Sequence, residues 1–373
     1  MSGRLAGRVL VILLALLRRF RRKPFDPLRD YRRILVAHHL LLGDTMLLTP
    51  LLAKLRQRYP EAEIWMTVSS PYIPLYEGRP YGVRVLPYHP REAATLWPWL
   101  RVGGFDLALV PGDNRYSWLA RALGARCILA LASEQDDWKS WQVDRPVAWP
   151  TTPCSVAELL ASMVDGPEPP GYSPEQWPAG RPSPDLPQGP YCVLHVSARN
   201  PLRRWPAGNW HRLGMALRQR GYHIVWSAAP GEAALLDAIE HDATDTCISG
   251  TLGLLELRQL ITGAKVLVTV ETGIAHLCRI TGTPSVVIFG QGNPALHGIE
   301  PFWRDASPME PVFDADVPCR DQSHVFGRRL PWVRRCDRGS KECASPVCID
   351  ALQSDHILKA LEKLEEITGS TWK

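Results

Sequence analysis

Residues 266–294 read VLVTVETGIAHLCRITGTPSVVIFGQGNP, and the order of side chains in this stretch decides the fold class. The run 266–270 is short, apolar and β-branched; Glu271, Thr272 and Gly273 interrupt it; a helical pattern carrying His276 follows; and 284–289 is a second apolar run. Apolar runs of this length without polar alternation are strands buried on both faces. A helix opening at the turn offers free backbone N–H groups, the positive end of its dipole, a Thr hydroxyl and an imidazole to an anion. A Thr-Gly turn is also ordinary loop chemistry, so the anion reading leans on the rest of the chain.

Outward from this unit the alternation continues on both sides. Strand-like runs at 34–37, 64–68, 83–86, 107–110 and 127–131 are interleaved with helical patterns near 45–58, 91–100 and 116–123. A second series has strands at 191–196 and 223–227, helices near 207–220, 232–240 and 254–262, and then the opening segment. Alternating strand and helix implies parallel βαβ units with right-handed crossovers. At 373 residues the chain exceeds what one core supports, and the expected fold is α/β: two Rossmann-like domains facing each other across a cleft. Between them, residues 165–190 hold nine prolines and little apolar periodicity, which reads as a linker. The expected division is 1–30, a basic and apolar helix; 31–165, the first domain; 166–190, the linker; 191–350, the second domain with an irregular tail from 308; and 351–373, a closing amphipathic helix.

The net charge of +5 is uneven. Residues 1–33 hold ten Lys and Arg against two Asp, leaving the remainder at −3. No basic face interleaved with aromatics runs through the body, which disfavours nucleic acid as a partner. Within the leader, residues 9–17 are unbroken apolar sequence followed by Arg18, Arg19, Arg21, Arg22 and Lys23. About twenty residues are needed to span a bilayer, so this run is too short to cross, and arginines directly after it argue against an exported signal. It reads as an interfacial helix at the inner face of the cytoplasmic membrane, with packing onto the protein as the alternative. Nine cysteines, odd in number and scattered, do not form a secreted disulfide framework and fit a reducing, cytoplasmic compartment.

Several residues at strand ends carry chemistry. After the first strand come His38, His39, then Gly43, Asp44 and Thr45 at the start of a helix. Asp44 reads either as a helix cap or as a carboxylate, held ionised by the helix dipole, that takes a proton from an attacking hydroxyl. In the second half, Ser197, Arg199 and Arg203-Arg204-Trp205-Pro206 lie at a strand-to-helix junction, where guanidinium forks clamp phosphate oxygens or form a solvated basic turn. Glu232 follows the next strand, where an acid accepts from ribose hydroxyls in nucleotide-binding Rossmann units.

These motifs, in this order, resemble glycosyltransferase family 9, the heptosyltransferases of bacterial surface glycans. The resemblance rests on GDTMLLTPLLAKLRQRYPEAEI at 43–64, RRWPAGNW at 203–210, and ETGIAHL to FGQGNP at 271–294. It implies a GT-B fold, a nucleotide-sugar donor such as ADP-heptose held by the second domain, a lipid-linked or glycan acceptor held by the first, and an inverting displacement with no metal and no cofactor. Asp44 would be the general base, with His38, His39, Gly43 and Thr45 toward the acceptor. Thr272, Gly273 and His276 would hold the diphosphate with Glu271 beside them, Arg203 would stand where the family has a diphosphate-binding Lys, Glu232 would meet the ribose, and Leu252 would lie near the base. Two departures mark this chain, Glu271 where the family usually has Asp and Arg203 where it has Lys; both keep the charge and change the reach. A sugar-nucleotide epimerase of similar fold, and a nucleotide-sugar or glycan-binding scaffold without turnover, are the rival readings.

Three further features carry less. Asp314 and Asp316 match a D-x-D pattern in an irregular segment; metal binding there is disfavoured. Cys319, Cys336, Cys343 and Cys348 lack a C-x-x-C knuckle, so metal ligation, disulfides and free thiols all remain open. Trp138 and Trp141, beside Asp136, Asp137 and Lys139, are candidates for stacking on a sugar face.

Overall fold

A computed structural model of the chain, describing residues 2–134, 137–178, 187, 189–298 and 300–369, contains two six-stranded sheets. The first holds β1 (Arg33–Val36), β2 (Glu63–Val68), β3 (Arg84–Pro87), β4 (Leu107–Val110), β5 (Cys127–Leu131) and β6 (Arg145–Val147), in the order β3-β2-β1-β4-β5-β6. The second holds β7 (Tyr191–His195), β8 (His223–Ala228), β9 (Thr246–Ser249), β10 (Val266–Val270), β11 (Ser285–Phe289) and β12 (Met309–Phe313), in the order β12-β11-β10-β7-β8-β9. Every pairing within these two sheets is parallel. Both sheets follow one doubly wound pattern, and the order reverses beside β1 in the first and β7 in the second, where α/β sheets open their ligand crevices.

The strands legible in the sequence are the interior ones together with the edge strand β3. β4, β5, β7, β10 and β11 are buried along their whole length. The unforeseen strands β6, β9 and β12 are edges, partly exposed, and two of them contain proline. An edge strand needs neither a continuous apolar run nor every N–H.

Three expectations need correction. The Pro-rich connection is not loose in its described part: Trp177 is fully buried, its indole N–H donates to the Leu75 carbonyl at 2.8 Å, and the Tyr172 hydroxyl donates to the Ile280 carbonyl at 2.9 Å. It forms a strut within an apolar cluster that joins Leu51 and Leu52 of the first domain to Leu277 and Trp303 of the second. Residues 179–186 and 188 of that stretch lie outside the described residues. The tail is also more ordered than expected. β12 extends the second sheet, and an antiparallel pair, His324–Val325 with Arg328–Arg329, returns to the first domain, where Arg328 donates to the Ala132 carbonyl and the Arg329 N–H donates to Glu134. The closing helix begins later than expected, at Ser354–Thr368, and packs Ile357, Leu361 and Leu364 into the second domain's core.

The N-terminal helix, Ser2–Arg18, packs one face on the first domain and leaves the other bare. One face packs Ala15 against Trp118 and Ala122, and Arg18 donates to the Ala122 carbonyl. The opposite face leaves Leu5, Val9, Leu13, Leu16 and Leu17 exposed. Among the described residues no helix is long and apolar enough to cross a membrane.

Candidate functional site

The two domains touch through the turns that follow β1 and β10. Helix Leu42–Met46 and helix Gly273–Cys278 meet at glycines: a Cβ on Gly273 would lie 3.3 Å from the Leu42 Cβ, and one on Gly43 would lie 2.7 Å from the His276 Cδ2. Neither position has room for a side chain without a shift.

Asp44 sits at this junction, and the structure removes its role as a cap. The residue before the helix is Leu41, no side chain caps that terminus, and among the described residues nothing donates to the Asp44 carboxylate. Burial pushes its pKa up to about 6, against the opposing pull of Arg335 and Arg203. The direction is opposite to the depressed value expected from the helix dipole; desolvation at the domain junction outweighs it. A carboxylate with that pKa is ionised at pH 7 yet basic enough to accept a proton.

Across the junction, the second domain assembles a largely buried polar wall. Arg203 donates to the Glu271 carbonyl and to Gln291 Oε1, each at 3.4 Å, and stands 3.9 Å from the Glu271 carboxylate. That carboxylate is buried, packed against Gly292, with Oε2 lacking a hydrogen-bond partner. His276 is buried with Nδ1 unpartnered, and its pKa is driven well below 6.5 by burial and by Arg279, His297 and Arg203. It is a neutral imidazole that can supply an N–H but not a charge. Thr272 is half-buried and its hydroxyl accepts the Ile274 N–H at 3.3 Å, so it is the cap of this helix.

The remaining expected donor residues surround this wall unevenly. Arg199 is exposed, and its charge, with that of Asp44, is felt at Tyr72 across the junction. Ser197 is buried and accepts the Ala229 N–H at 2.7 Å, holding the loop after β8. Glu232 is tied to Arg204 at 2.6 Å. Leu252 is half-buried against the apolar cluster.

On the acceptor side, two expected residues are internal. Thr45 is fully buried and donates to the Leu41 carbonyl at 2.8 Å, and His38 is 1% exposed, its Nδ1 accepting the Leu40 N–H. Both shape the turn from within. Burial lowers the His38 pKa to about 3. His39 is half-buried, edge-on to His89 at 5.1 Å, and Trp138 and Trp141 are about half exposed; Asp136 lies outside the described residues.

Three residues of the site were not anticipated. Arg335, in the tail, is the leading cation acting on Asp44. His297 is edge-on to His276 at 6.0 Å, its pKa lowered to about 3 by burial and by Arg335, Arg203 and Arg279. Gln291 accepts from Asn200 at 2.6 Å, donates to the Arg338 carbonyl at 2.8 Å, and through its own carbonyl accepts the Cys336 N–H at 2.8 Å, which fastens the tail beside Arg203. Gln291 stands two residues after a buried strand, in GQGNP, a usable signal; Arg335 sits in sequence without periodicity.

The discounted features stay apart from this junction or inert. Asp314 accepts the Asp316 N–H in a local turn, all nine cysteines are free thiols, and among the described residues no group of three or more His, Cys, Asp or Glu is arranged to hold a metal ion.

Comparison with known proteins bears on this geometry. Residues 93–307, more than half of the chain, match the sequence profile of glycosyltransferase family 9 (heptosyltransferase). That span includes Arg203, Glu271 and His276 but not Asp44. Lipopolysaccharide heptosyltransferase 1 of Pseudomonas aeruginosa is 25% identical over 290 residues, covering 71% of this chain and 81% of its own. Among solved structures, a family 9 glycosyl transferase from Veillonella parvula superposes with a TM-score of 0.66 at 18% identity, covering 90% of this chain and 97% of its own. The E. coli heptosyltransferase WaaC, solved with ADP-2-deoxy-2-fluoro heptose, superposes with a TM-score of 0.62 at 16% identity, covering 89% and 99%.

Proposed function

The chain belongs to glycosyltransferase family 9 and is a glycosyltransferase, and from that premise we propose that it transfers a heptosyl group from ADP-heptose to a lipopolysaccharide-core or related surface glycan by an inverting, metal-independent displacement. The acceptor hydroxyl oxygen attacks the anomeric carbon, the bond from that carbon to the diphosphate oxygen breaks, and the hydroxyl proton passes to Asp44. Negative charge grows on the departing ADP, opposite the attacking oxygen. Arg203, with Arg335 nearby and the neutral His276 as an N–H donor, stabilises that charge. The heptosyl donor is supported by the names of the relatives and by the ADP-heptose analogue in WaaC.

One observation carries the reading: an acid with no donor partner, its pKa raised to about 6, at the contact between two Rossmann halves and in the field of Arg203 and Arg335. The junction is already tight, so donor and acceptor enter by a modest opening of the cleft. The bare face of the N-terminal helix, followed by the basic block from Arg18 to Lys23, supports docking on anionic lipid at the inner leaflet, within reach of a lipid-linked acceptor.

The test is ADP release and product formation from a panel of nucleotide sugars with heptose-deficient lipopolysaccharide as acceptor, the anomeric configuration of the product being read by NMR. Transfer from ADP-heptose with inversion is the expected result. Retention of configuration, or consumption of donor without acceptor as in an epimerase, contradicts the proposal.

A further inference from the structure

The displacement leaves unused a cavity of about 770 Å³ in the first domain. It lies where β1, β3 and β4 end, between the loops that follow them and the N-terminal helix. Gly7, Val11 and Ile12 of that helix form one wall; His39, Tyr88 and Tyr116 stand on the sheet side. One wall is apolar and continuous with a helix whose outer face is bare, and the other is polar and aromatic.

The charges around the cavity do not cancel. Three guanidiniums, Arg8, Arg91 and Arg115, face two carboxylates, Asp113 and Glu92; Asp113 is paired with Arg115 at 2.5 Å, and Glu92 lies 3.4 Å from the His89 ring, whose Nδ1 accepts the Arg91 backbone N–H. Arg8 and Arg91 also line it, and among the described residues neither guanidinium has a hydrogen-bond or ion-pair partner. Arg8 lies one helical turn before the apolar wall, which places an unmatched positive charge next to a hydrocarbon-lined surface. Trp138, half exposed, stands at the same cavity, as Trp does where protein meets the headgroup layer. Leu40 forms part of the wall, four residues before Asp44, so an occupant extended along the β1 loop leads to the domain junction.

We propose that this cavity holds the phosphate-bearing headgroup of the membrane-anchored acceptor, with the phosphate on Arg8 and Arg91 and the first methylenes of the lipid along Val11 and Ile12. The N-terminal helix then has two tasks, one face resting on lipid and the edge between its faces delivering a single lipid headgroup to the β1 loop. Matching of two unpaired guanidiniums beside an apolar wall to a phosphate beside an acyl chain favours this occupant over a soluble sugar or a peptide. The inference rests on the acceptor being lipid-linked, as proposed above.

The experiment compares wild type with the double variant Arg8→Ala, Arg91→Ala on two kinds of phosphatidylcholine vesicle, one doped with phosphatidylglycerol and one with lipid A at equal surface charge. ADP affinity by calorimetry reports that the second domain is intact. The expected result is at least about tenfold weaker binding of the double variant to lipid A vesicles, and less than twofold change on phosphatidylglycerol vesicles, which the Arg18 to Lys23 block still attracts. A second variant, Val11→Asp, blocks the apolar wall and is expected to repeat the selective loss. Equal losses on both vesicles reduce the two arginines to general surface charge and overturn the proposal, as does unchanged lipid A binding. The role of Asp44 is read separately, by transfer rates, so either result leaves that assignment independently testable.

Discussion

Gly43 and His276 are in contact across the domain junction, and a methyl group on Gly43 would lie 2.7 Å from the His276 Cδ2. His276 is buried, with the His297 ring edge-on to its own at 6.0 Å. Gly43→Ala therefore separates the helix bearing Asp44 from the cradle after β10 by several tenths of an ångström or more. Transfer is expected to fall by roughly 10- to 100-fold, since misplacement on this scale is costly for a reaction that depends on alignment. ADP affinity, which the proposal assigns to the second domain, is expected to change much less, and calorimetry beside steady-state kinetics checks the split.

Asp44 carries the pH dependence. As the base it must be ionised, so kcat/KM is expected to fall as pH drops through about 6 and to level off above it. The stability sign runs the other way. The folded-state pKa is raised above the unfolded value, so the native state loses stability as pH rises from about 4 to about 6 and stays lower beyond. Asp44→Asn is expected to be more stable than wild type at pH 8, by no more than about 3 kcal/mol, and so to unfold at a higher temperature there and at about the same temperature near pH 3.5. Thermal melts across that range measure it.

Arg335 tunes that titration. Its charge lowers the Asp44 pKa against burial, so Arg335→Ala is expected to raise it and move the acid limb of the rate profile to higher pH. Arg203→Ala has the same effect on the limb and additionally weakens donor binding, by roughly 10-fold or more for a charge-assisted contact to phosphate. Rate profiles of the two variants, with ADP affinities, separate the shared effect from the second.

The pair Arg279 with Glu300 is a structural control. Both side chains are almost fully buried, and Arg279 also lies 4.8 Å over the Trp303 ring and donates to the Gly298 carbonyl. Arg279→Met leaves the Glu300 carboxylate buried without its cation, and a loss of about 3–5 kcal/mol is expected. Urea unfolding checks this; a variant within about 1 kcal/mol of wild type contradicts the assignment.

Much of the architecture was legible because interior strands of a parallel sheet are apolar on both faces. Val266–Val270 and Cys127–Leu131 announce themselves, whereas Arg145–Val147 and Met309–Phe313 are edges and do not. The turns that carry Asp44, Arg203 and Glu271 to His276 were legible because glycine and polar residues break such runs at strand ends. What local sequence does not encode is how charge and burial combine across the junction. The raised pKa of Asp44 combines burial with Arg335 and Arg203, which lie far along the chain, and the neutrality of His276 combines burial with Arg279, His297 and Arg203 from three separate segments. The spent state of Ser197 has the same origin, because its partner is the Ala229 N–H on the loop after the next strand, whereas Thr45 and His38 are satisfied locally, by the Leu41 carbonyl and the Leu40 N–H.

The most direct test is the single-turnover rate of sugar transfer by wild type and Asp44→Asn at saturating donor and pH 8, with ADP affinity measured on both. A fall of about 10²- to 10⁴-fold in rate with ADP affinity unchanged is the predicted result. A rate within a few-fold of wild type contradicts the assignment of Asp44 as the base facing the anion cradle.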